Sequence, residues 1–311
     1  MSKLTNPSQA DAGGDSPDAL PAIIRTPLSV LAGLWRGSRL MMKESLIGGI
    51  GLGIVIFWAL VALFADVLAP FPPNEQILPF ATPGTASPTG GTFWLGTDQI
   101  GRDVLSRIIH GSRTVLFYAP VATLCAYTVG CVMGLVAGYL RGWWDEALSF
   151  VANVILSFPV IVLYVVIILT FGPSGVNVVI AVTFASAPGI MRIVRGLTLD
   201  LSNRDYVAAA QTRGENMWWI MFIEILPNAR GPLIVDACLR LGYVTITIGV
   251  LGFLGLGLPP PTPDWGSMIN EGRAMAMFAP HMTVFPCIAI SSLVLGFNFL
   301  ADGIREVSLR D

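Results

Sequence analysis

The longest uncharged stretch of the chain, residues 147–191, reads ALSFVANVILSFPVIVLYVVIILTFGPSGVNVVIAVTFASAPGIM. A helix needs about 20 apolar residues to cross the hydrocarbon core of a bilayer, so this stretch is long enough for two crossings. Gly172-Pro173-Ser174-Gly175 divides it with residues that favour a turn. Neither half alternates apolar with polar residues, as a strand of a membrane β-barrel does. The stretch therefore predicts two membrane-spanning helices, at about 147–171 and 176–193.

Four shorter runs of the same character lie on either side of this stretch. Charged residues make up 12% of the 311 residues, about half the ~25% that is typical of soluble domains. This composition excludes soluble, disordered and nucleic-acid-binding classes of protein. The predicted fold class is an all-α, polytopic membrane protein with about six transmembrane helices, at 46–66, 114–140, 147–171, 176–193, 232–258 and 282–301.

The distribution of lysine and arginine predicts the orientation of these helices. With the N-terminus inside, thirteen of the 18 basic residues fall on internal segments and four on the external segments, 67–113 and 259–281. Basic residues favour the cytoplasmic side, so both termini are predicted to be cytoplasmic. Residues 1–40 are predicted to form a disordered cytoplasmic tail, and residues 41–311 the transmembrane domain.

The sequence offers no site for ATP hydrolysis. A Walker A loop requires a lysine after a glycine, and neither of the two lysines, Lys3 and Lys43, follows a glycine. The four cysteines lie singly in apolar runs and the two histidines are far apart, so no metal site is expected. We therefore predict no catalytic residue and no bound cofactor or metal; ATP and Mg²⁺ would bind a partner chain.

The predicted cytoplasmic loop 194–230 is long enough to have a structure of its own. Ser202 or Asn203 is a candidate N-cap for a first helix, and Gly214 occupies the position of a glycine that ends it. An apolar second helix follows and is predicted to stop at Leu226-Pro227. The loop is thus predicted to be a compact helix–turn–helix on the membrane face.

The same loop resembles the EAA loop of ABC-importer permeases. That loop reads E-A-A, three residues, G, and then I-x-L-P. Here Ala208-Ala209-Ala210 is followed by three residues and Gly214, and then, after eleven intervening residues, by Leu226-Pro227. The chain departs from the pattern twice, because Ala208 stands in place of the Glu and Glu224 in place of the Ile.

Three other segments are similar to parts of dipeptide and oligopeptide importers. They are WLGTDQIGRDVLSR at 94–107, PPPTPDWG at 259–266 and FNFLADGIR at 297–305. The resemblance covers about 46–305 and points to the second ("C") permease subunit, with the type I ABC importer fold. The Asp-Pro that usually follows the last motif is absent, since the chain ends Leu309-Arg310-Asp311.

The resemblance implies a function and a set of partners. It implies a permease subunit of an ATP-driven importer for di- or oligopeptides or peptide-like solutes, in the bacterial cytoplasmic (inner) membrane. The partners would be a second permease subunit in a heterodimer, two ATP-binding subunits, an extracytoplasmic substrate-binding protein and the lipid bilayer, with no nucleic acid. A self-contained secondary transporter or channel remains the alternative.

The resemblance also suggests site residues. The residues expected to couple to the ATPase are Arg204, Asp205, Ala208, Ala209, Ala210, Arg213, Gly214, Glu215, Leu226 and Pro227. The residues expected at an external gate or at the docking site for the binding protein are Gly101, Arg102, Asp103, Arg107, Pro260, Pro263, Asp264 and Trp265. For the charged residues of the coupling loop the alternative is a solvated helix face, and for residues 101–111 it is a plain helix in the membrane interface.

One charged pair falls inside a predicted span. Asp236 and Arg240 are four residues apart and can pair on one helix face, either for packing or as part of a translocation pathway. In the second span, Gly130, Gly134 and Gly138 repeat every four residues, which predicts a close approach of another helix.

Overall fold

A computed structural model describes residues 45–308, so the predicted tail 1–40 and the last three residues lie outside the described part. Apart from one short hairpin, the regular structure of residues 45–308 is helical. The elements in chain order are α1 Leu46–Leu63, α2 Ala65–Leu68, β1 Thr85–Ala86, β2 Thr92–Phe93, α3 Val104–Leu140, α4 Gly142–Leu156, α5 Val160–Phe171, α6 Gly175–Leu201, α7 Asp205–Thr212, α8 Met217–Trp219, a π-helix Ile220–Ile225, α9 Leu226–Asn228, α10 Arg230–Phe253, α11 Trp265–Gly272, a 3₁₀-helix Arg273–Met275 and α12 His281–Ser308.

Five of the described helices are long and apolar enough to cross a membrane, namely α1, α3, α6, α10 and α12. The pair α4 and α5 makes a sixth candidate if the two are counted as one broken span. The membrane-spanning segments predicted from the uncharged runs therefore correspond to helices in the structure. Two of them differ in form from the prediction.

The first difference is a break in the expected helix 147–171. Helices α4 and α5 are bent by 87° to each other, with Ser157, Phe158 and Pro159 between them. Proline has no backbone N–H and disfavours a helical conformation in the residue before it, which accounts for the break. At about 1.5 Å per residue, α5 is only ~18 Å long and too short to cross the hydrocarbon core alone.

The second difference is that α3 is continuous through residues expected to form a separate interfacial helix. Its N-cap is Asp103, whose Oδ2 accepts a hydrogen bond of 2.8 Å from the Ser106 N–H, and the helix then runs without interruption to Leu140. Arg107 and Ile108 are both buried. The first turns of α3 are thus packed inside the protein rather than lying on a membrane surface, because their polar side chains find partners on other segments.

Helices α3 and α6 pack closely along a line of glycines. A Cβ placed on Gly130 would lie 2.6 Å from the Cβ of Ile190, and Gly134 and Gly138 meet α6 just as tightly. Such contacts require residues without a side chain at the interface. The close helix approach predicted from the glycine repeat is therefore confirmed.

Helix α10 ends at Phe253, five residues before the end of the predicted span. Gly255 adopts φ +75°, its N–H donates to the Gly252 carbonyl, and the Leu256 N–H donates to the Leu251 carbonyl. This pair of bonds is the Schellman motif, which ends a helix at a left-handed residue. The chain then turns back to place α11 between α10 and α12.

Candidate functional site

Residues 202–229, here called the Gly214 segment, form the predicted helix–turn–helix. The first helix, α7, has Asp205 in its first turn, but its N-cap is Arg204, which makes no side-chain capping bond. The predicted caps are engaged elsewhere, since Ser202 and Asn203 both donate to the Leu199 carbonyl at the end of α6. Those side chains therefore close α6 rather than open α7.

Gly214 ends α7 as predicted. It adopts φ +75°, its N–H donates to the Gln211 carbonyl at 3.0 Å, and the Glu215 N–H donates to the Ala210 carbonyl at 3.2 Å. These two bonds form a second Schellman motif, with Gly214 at the left-handed position that glycine adopts without steric cost. Among the described residues, no atom lies within 4 Å of a Cβ placed on Gly214.

Helix α7 has an inner and an outer face. Val207 and Ala210 are fully buried, in a cluster with residues of the π-helix, α3 and α6. Ala208 and Ala209 are exposed, as is Arg213 at the end of the helix. The segment thus rests on the membrane helices with one face, and its other face is exposed.

The second arm of the segment does not stop at Leu226-Pro227 as expected. It contains a π-helix, in which the Leu226 N–H donates to the carbonyl of Met221, five residues back. Pro227 lacks a donor, and its ring would clash with the carbonyl four residues before it, so the wider turn relieves that contact. The Asn228 side chain donates to the Glu224 carbonyl at 2.6 Å. After a break at Ala229 the arm continues into α10.

Three ion pairs lie on the surface of this segment. Arg213 pairs with Glu215 at 2.9 Å and with Glu224 at 3.2 Å, and Arg204 pairs with Asp200 at 3.3 Å. The pair with Glu224 joins the first arm to the second. Sequence reasoning noted Glu224 as a departure from the family pattern and gave it no role.

At the opposite ends of the helices, residues 97–107 and 264–281 form a second site, here called the Trp265 cluster. The Trp265 side chain is fully buried, and its Nε1–H donates to the Ile108 carbonyl at 2.9 Å. Its ring meets the Trp58 ring edge to face at 4.8 Å, and a Cβ on Gly111 would lie 2.7 Å from it. The tryptophan therefore fixes α11 against α1 and α3.

Asp264 is the N-cap of α11. Its Oδ2 accepts a hydrogen bond of 2.9 Å from the Ser267 N–H, and the preceding Pro263 carbonyl accepts one of 2.9 Å from Thr114. The carboxyl is completely buried, and that desolvation raises its pKa to about 6. Burial also raises the pKa of Asp103.

A buried ion network joins the two parts of the Trp265 cluster. The Arg102 guanidinium bonds to Asp98 at 2.5 Å and to Glu271 on α11 at 2.5 Å. Arg107 approaches the same Glu271 carboxylate at 3.8 Å. Glu271 was not identified from the sequence. The signal that could have found it is the need of Arg102 and Arg107, if buried, for an acidic partner.

The structure brings most of the predicted external residues together, but mainly in the interior. Trp265 and Asp264 have no exposed surface, and Arg102, the most exposed of the charged members named from the sequence, is 7% exposed. Pro260 is exposed and Pro263 half-buried, on the loop that follows α10. The buried residues therefore pack the cluster together, and the residues that remain accessible at this site are their exposed neighbours.

Asp236 and Arg240 form the expected ion pair on α10, with Arg240 Nε 2.7 Å from Asp236 Oδ2. The hydroxyl of Tyr127 on α3 donates to the same carboxylate, a partner that the sequence did not indicate. A Cβ on Gly189 of α6 would lie 3.5 Å from the Arg240 guanidinium. The pair is half-buried and links α10 to α3.

Two family models match the chain. Residues 130–310 match the binding-protein-dependent transport system inner membrane component. Residues 33–88 match the N-terminal transmembrane domain of oligopeptide transport permease C. The first match includes the whole Gly214 segment and the Trp265 side chain, and the second includes α1 and the hairpin strand β1.

Named relatives cover almost the full length. The chain is 36% identical over 284 residues to the glutathione transport system permease protein GsiD of Pectobacterium atrosepticum, covering 91% of each chain. It is 36% identical over 262 residues to the dipeptide transport system permease protein DppC of Haemophilus influenzae, covering 83% of this chain and 88% of the relative. The corresponding dipeptide permease of Alkalihalophilus pseudofirmus is 35% identical over 272 residues, covering 88% of each. The chain therefore belongs to the inner-membrane permease components of binding-protein-dependent transport systems, and among them to the oligopeptide permease C type of subunit.

Proposed function

We propose that this permease subunit serves an ATP-driven importer for dipeptides, oligopeptides or peptide-like solutes such as glutathione, and forms half of its translocation pathway. Members of the family are non-catalytic membrane subunits that work with a separate ATPase. The relatives are named for glutathione and dipeptide transport, which supports this class of cargo. The observation that carries the coupling role is the Gly214 segment, a short helix seated on the membrane helices with its outer face open.

The proposed assembly contains a second, different permease subunit, two ATP-binding subunits and an extracytoplasmic binding protein. ATP and Mg²⁺ would bind to the ATP-binding subunits and not to this chain. The outer face of α7, with Asp205, Ala208 and Gly214, is the proposed contact with an ATPase. Exposed small residues there support a close contact, since they allow a partner to approach the backbone.

The proposed external site is the surface that the Trp265 cluster holds in place. The exposed loop around Pro260 would receive the binding protein or close the outer mouth, while the buried Arg102, Asp103, Arg107, Asp264 and Trp265 keep α11 in position. Gly101 supports the same arrangement, because its φ of +91° lets the chain turn beside Leu78. The Asp236–Arg240 pair, half-buried on α10, is proposed to border the pathway.

The proposed topology places both termini and the Gly214 segment in the cytoplasm. The bias of basic residues supports it. It is tested with single cysteines at two exposed positions, Thr212→Cys and Met277→Cys, in a background without the native cysteines. An impermeant maleimide should label Met277→Cys in intact spheroplasts, and Thr212→Cys only after permeabilisation; labelling of both from the same side would refute the topology.

The function is tested by reconstituting the chain in proteoliposomes with its partner permease, its ATPase subunits and its binding protein. We expect ATP-dependent uptake of labelled dialanine or glutathione, and no ATP hydrolysis by the purified chain alone. Uptake by this chain without an ATPase, driven by an ion gradient, would instead support a secondary transporter. Failure of the complete complex to accumulate either probe would refute the proposed cargo class.

A further inference from the structure

The two arms of the Gly214 segment are joined at the surface by one arginine and two acids. Arg213, which closes α7, bonds to Glu215 two residues later and to Glu224 in the π-helix of the second arm. The bond to Glu215 stays within the turn at Gly214. The bond to Glu224 spans eleven residues of chain and connects the arm that precedes Gly214 to the arm that leads into α10.

The position of Glu224 is set by its own arm. Its neighbour Ile225 is completely buried, so this stretch of the π-helix cannot rotate freely. The Asn228 side chain also restrains the backbone at Glu224, because it donates a hydrogen bond of 2.6 Å to the Glu224 carbonyl. The Glu224 side chain is consequently held at the border between the two arms, where it reaches the Arg213 guanidinium at 3.2 Å.

This geometry suggests a role for the residues at the two positions that depart from the EAA pattern. The acid expected in α7 is replaced by Ala208, which is exposed, while an acid appears at 224, where the pattern has an apolar residue. We infer that Glu224 is a positioning residue of the coupling element, whose ion pair with Arg213 holds α7 at a fixed angle to the arm that continues into α10. This inference rests on the proposed coupling function.

A rigid connection between the arms matters because coupling requires transmitted movement. If α7 is displaced by a partner, the displacement reaches α10 only when the two arms move together. The buried contacts of Val207 and Ala210 hold the inner side of α7, and the Arg213–Glu224 pair holds its outer end. An exposed ion pair adds little to folding stability, so its loss should leave a folded chain with a looser joint.

The test compares two variants that each remove one acid from the same arginine. Glu224→Gln removes the bond between the arms, and Glu215→Gln removes the bond within the turn. In the assembled complex, hydrogen exchange of the backbone amides from Val207 to Gly214 is measured together with the ATP hydrolysed per glutathione or dialanine imported. We expect Glu224→Gln to raise both the exchange rate and the ATP consumed about two- to five-fold, the range that an exposed ion pair can contribute. Glu215→Gln should leave the exchange rate near that of the wild type, because the bond that it removes stays within the turn.

Exchanging the charges of Arg213 and Glu224 tests whether the effect comes from the ion pair and not from a local defect at position 224. In a Glu215→Gln background, Arg213→Glu combined with Glu224→Arg should restore the slow amide exchange. Equal amide exchange in Glu224→Gln and Glu215→Gln would overturn the proposal that the Arg213–Glu224 pair holds the two arms together. Failure of the exchanged pair to restore slow exchange would overturn it as well. Faster exchange with an unchanged ATP cost would overturn its part in coupling. A wild-type complex that imports neither probe would refute the proposed function itself, which is a separate outcome.

Discussion

The Gly214 segment and the Trp265 cluster are built from similar parts that are used in opposite ways. Each contains a short helix and has a Schellman turn nearby, with φ +75° at Gly214 after α7 and at Gly255 in the loop before α11. At the first site the arginine of the ion pairs is 54% exposed, whereas at the second the side chains of Arg102 and Asp98 are each 8% exposed. The first site therefore has its ion pairs at the protein surface, while the second is held together by ion pairs in the interior.

The difference in burial predicts a difference in energetics. Removing one member of a buried ion pair leaves an uncompensated charge and costs about 3–5 kcal/mol, whereas an exposed pair contributes about 0–1 kcal/mol. Changes in the Trp265 cluster should therefore appear mainly in stability. Changes in the Gly214 segment should appear mainly in function.

The largest effect on stability is expected from Arg102→Met. The variant leaves the buried Asp98 carboxylate without its main partner. It also removes the ion pair of 2.5 Å between Arg102 and Glu271 on α11. We expect the free energy of unfolding in detergent to fall by about 3–5 kcal/mol. The matched variant Arg213→Met should lose no more than about 1 kcal/mol. Equal losses measured by tryptophan fluorescence during denaturation would remove the distinction between the two sites.

A smaller loss is expected from Trp265→Phe. The change removes the hydrogen bond to the Ile108 carbonyl and leaves a gap beside Gly111, which together should cost about 2 kcal/mol. Trp94→Phe is the control because Trp94 is 65% exposed, and it should change stability by less than about 0.5 kcal/mol. A loss in Trp94→Phe as large as in Trp265→Phe would contradict the internal role of Trp265.

The two glycines should be equally sensitive in stability. Gly214→Ala and Gly255→Ala each force an L-residue into the left-handed region at the same φ, and neither added Cβ meets a close atom among the described residues. Each substitution should cost about 1 kcal/mol in thermal unfolding. A much larger loss at either position would show that the two turns are not equivalent, which would weaken their use as a matched pair.

The smallest effect concerns pH. The folded-state pKa of Asp264 is about 6, above its unfolded value, so the folded protein binds more protons and becomes more stable as the pH falls through 6. Between pH 7 and pH 6 this group should add about 0.4 kcal/mol to the free energy of unfolding. Asp264→Asn should lack that increment, and an identical pH response in the two proteins would refute the assignment.

The sequence was most informative where a local signal was sufficient. Uncharged runs located the membrane helices, the glycine repeat located the α3–α6 contact, and the position of Gly214 identified the end of α7. Each of these depends on a property that a residue carries by itself, such as its transfer energy, its size or its freedom at positive φ.

The remaining features depend on contacts between distant residues. Arg102 and Arg107 are predicted at an external gate or docking site, or on a helix in the membrane interface, yet they are buried because Glu271, far along the chain, supplies the opposite charge. The interruption at Pro159 falls inside an uncharged run, so hydropathy alone did not separate α4 from α5. The π-helix before Pro227 widens a helix that the local pattern would end.

The most direct test of the account is the coupling ratio of Gly214→Ala and Gly255→Ala in the reconstituted complex. Both variants carry the same backbone strain, but only Gly214 lies on the surface proposed to meet the ATPase. We predict that Gly255→Ala keeps the wild-type ratio of ATP hydrolysed to glutathione or dialanine imported, while Gly214→Ala hydrolyses ATP with little import. An unchanged ratio in Gly214→Ala, or the same increase in both variants, would contradict the assignment of the Gly214 segment as the coupling element.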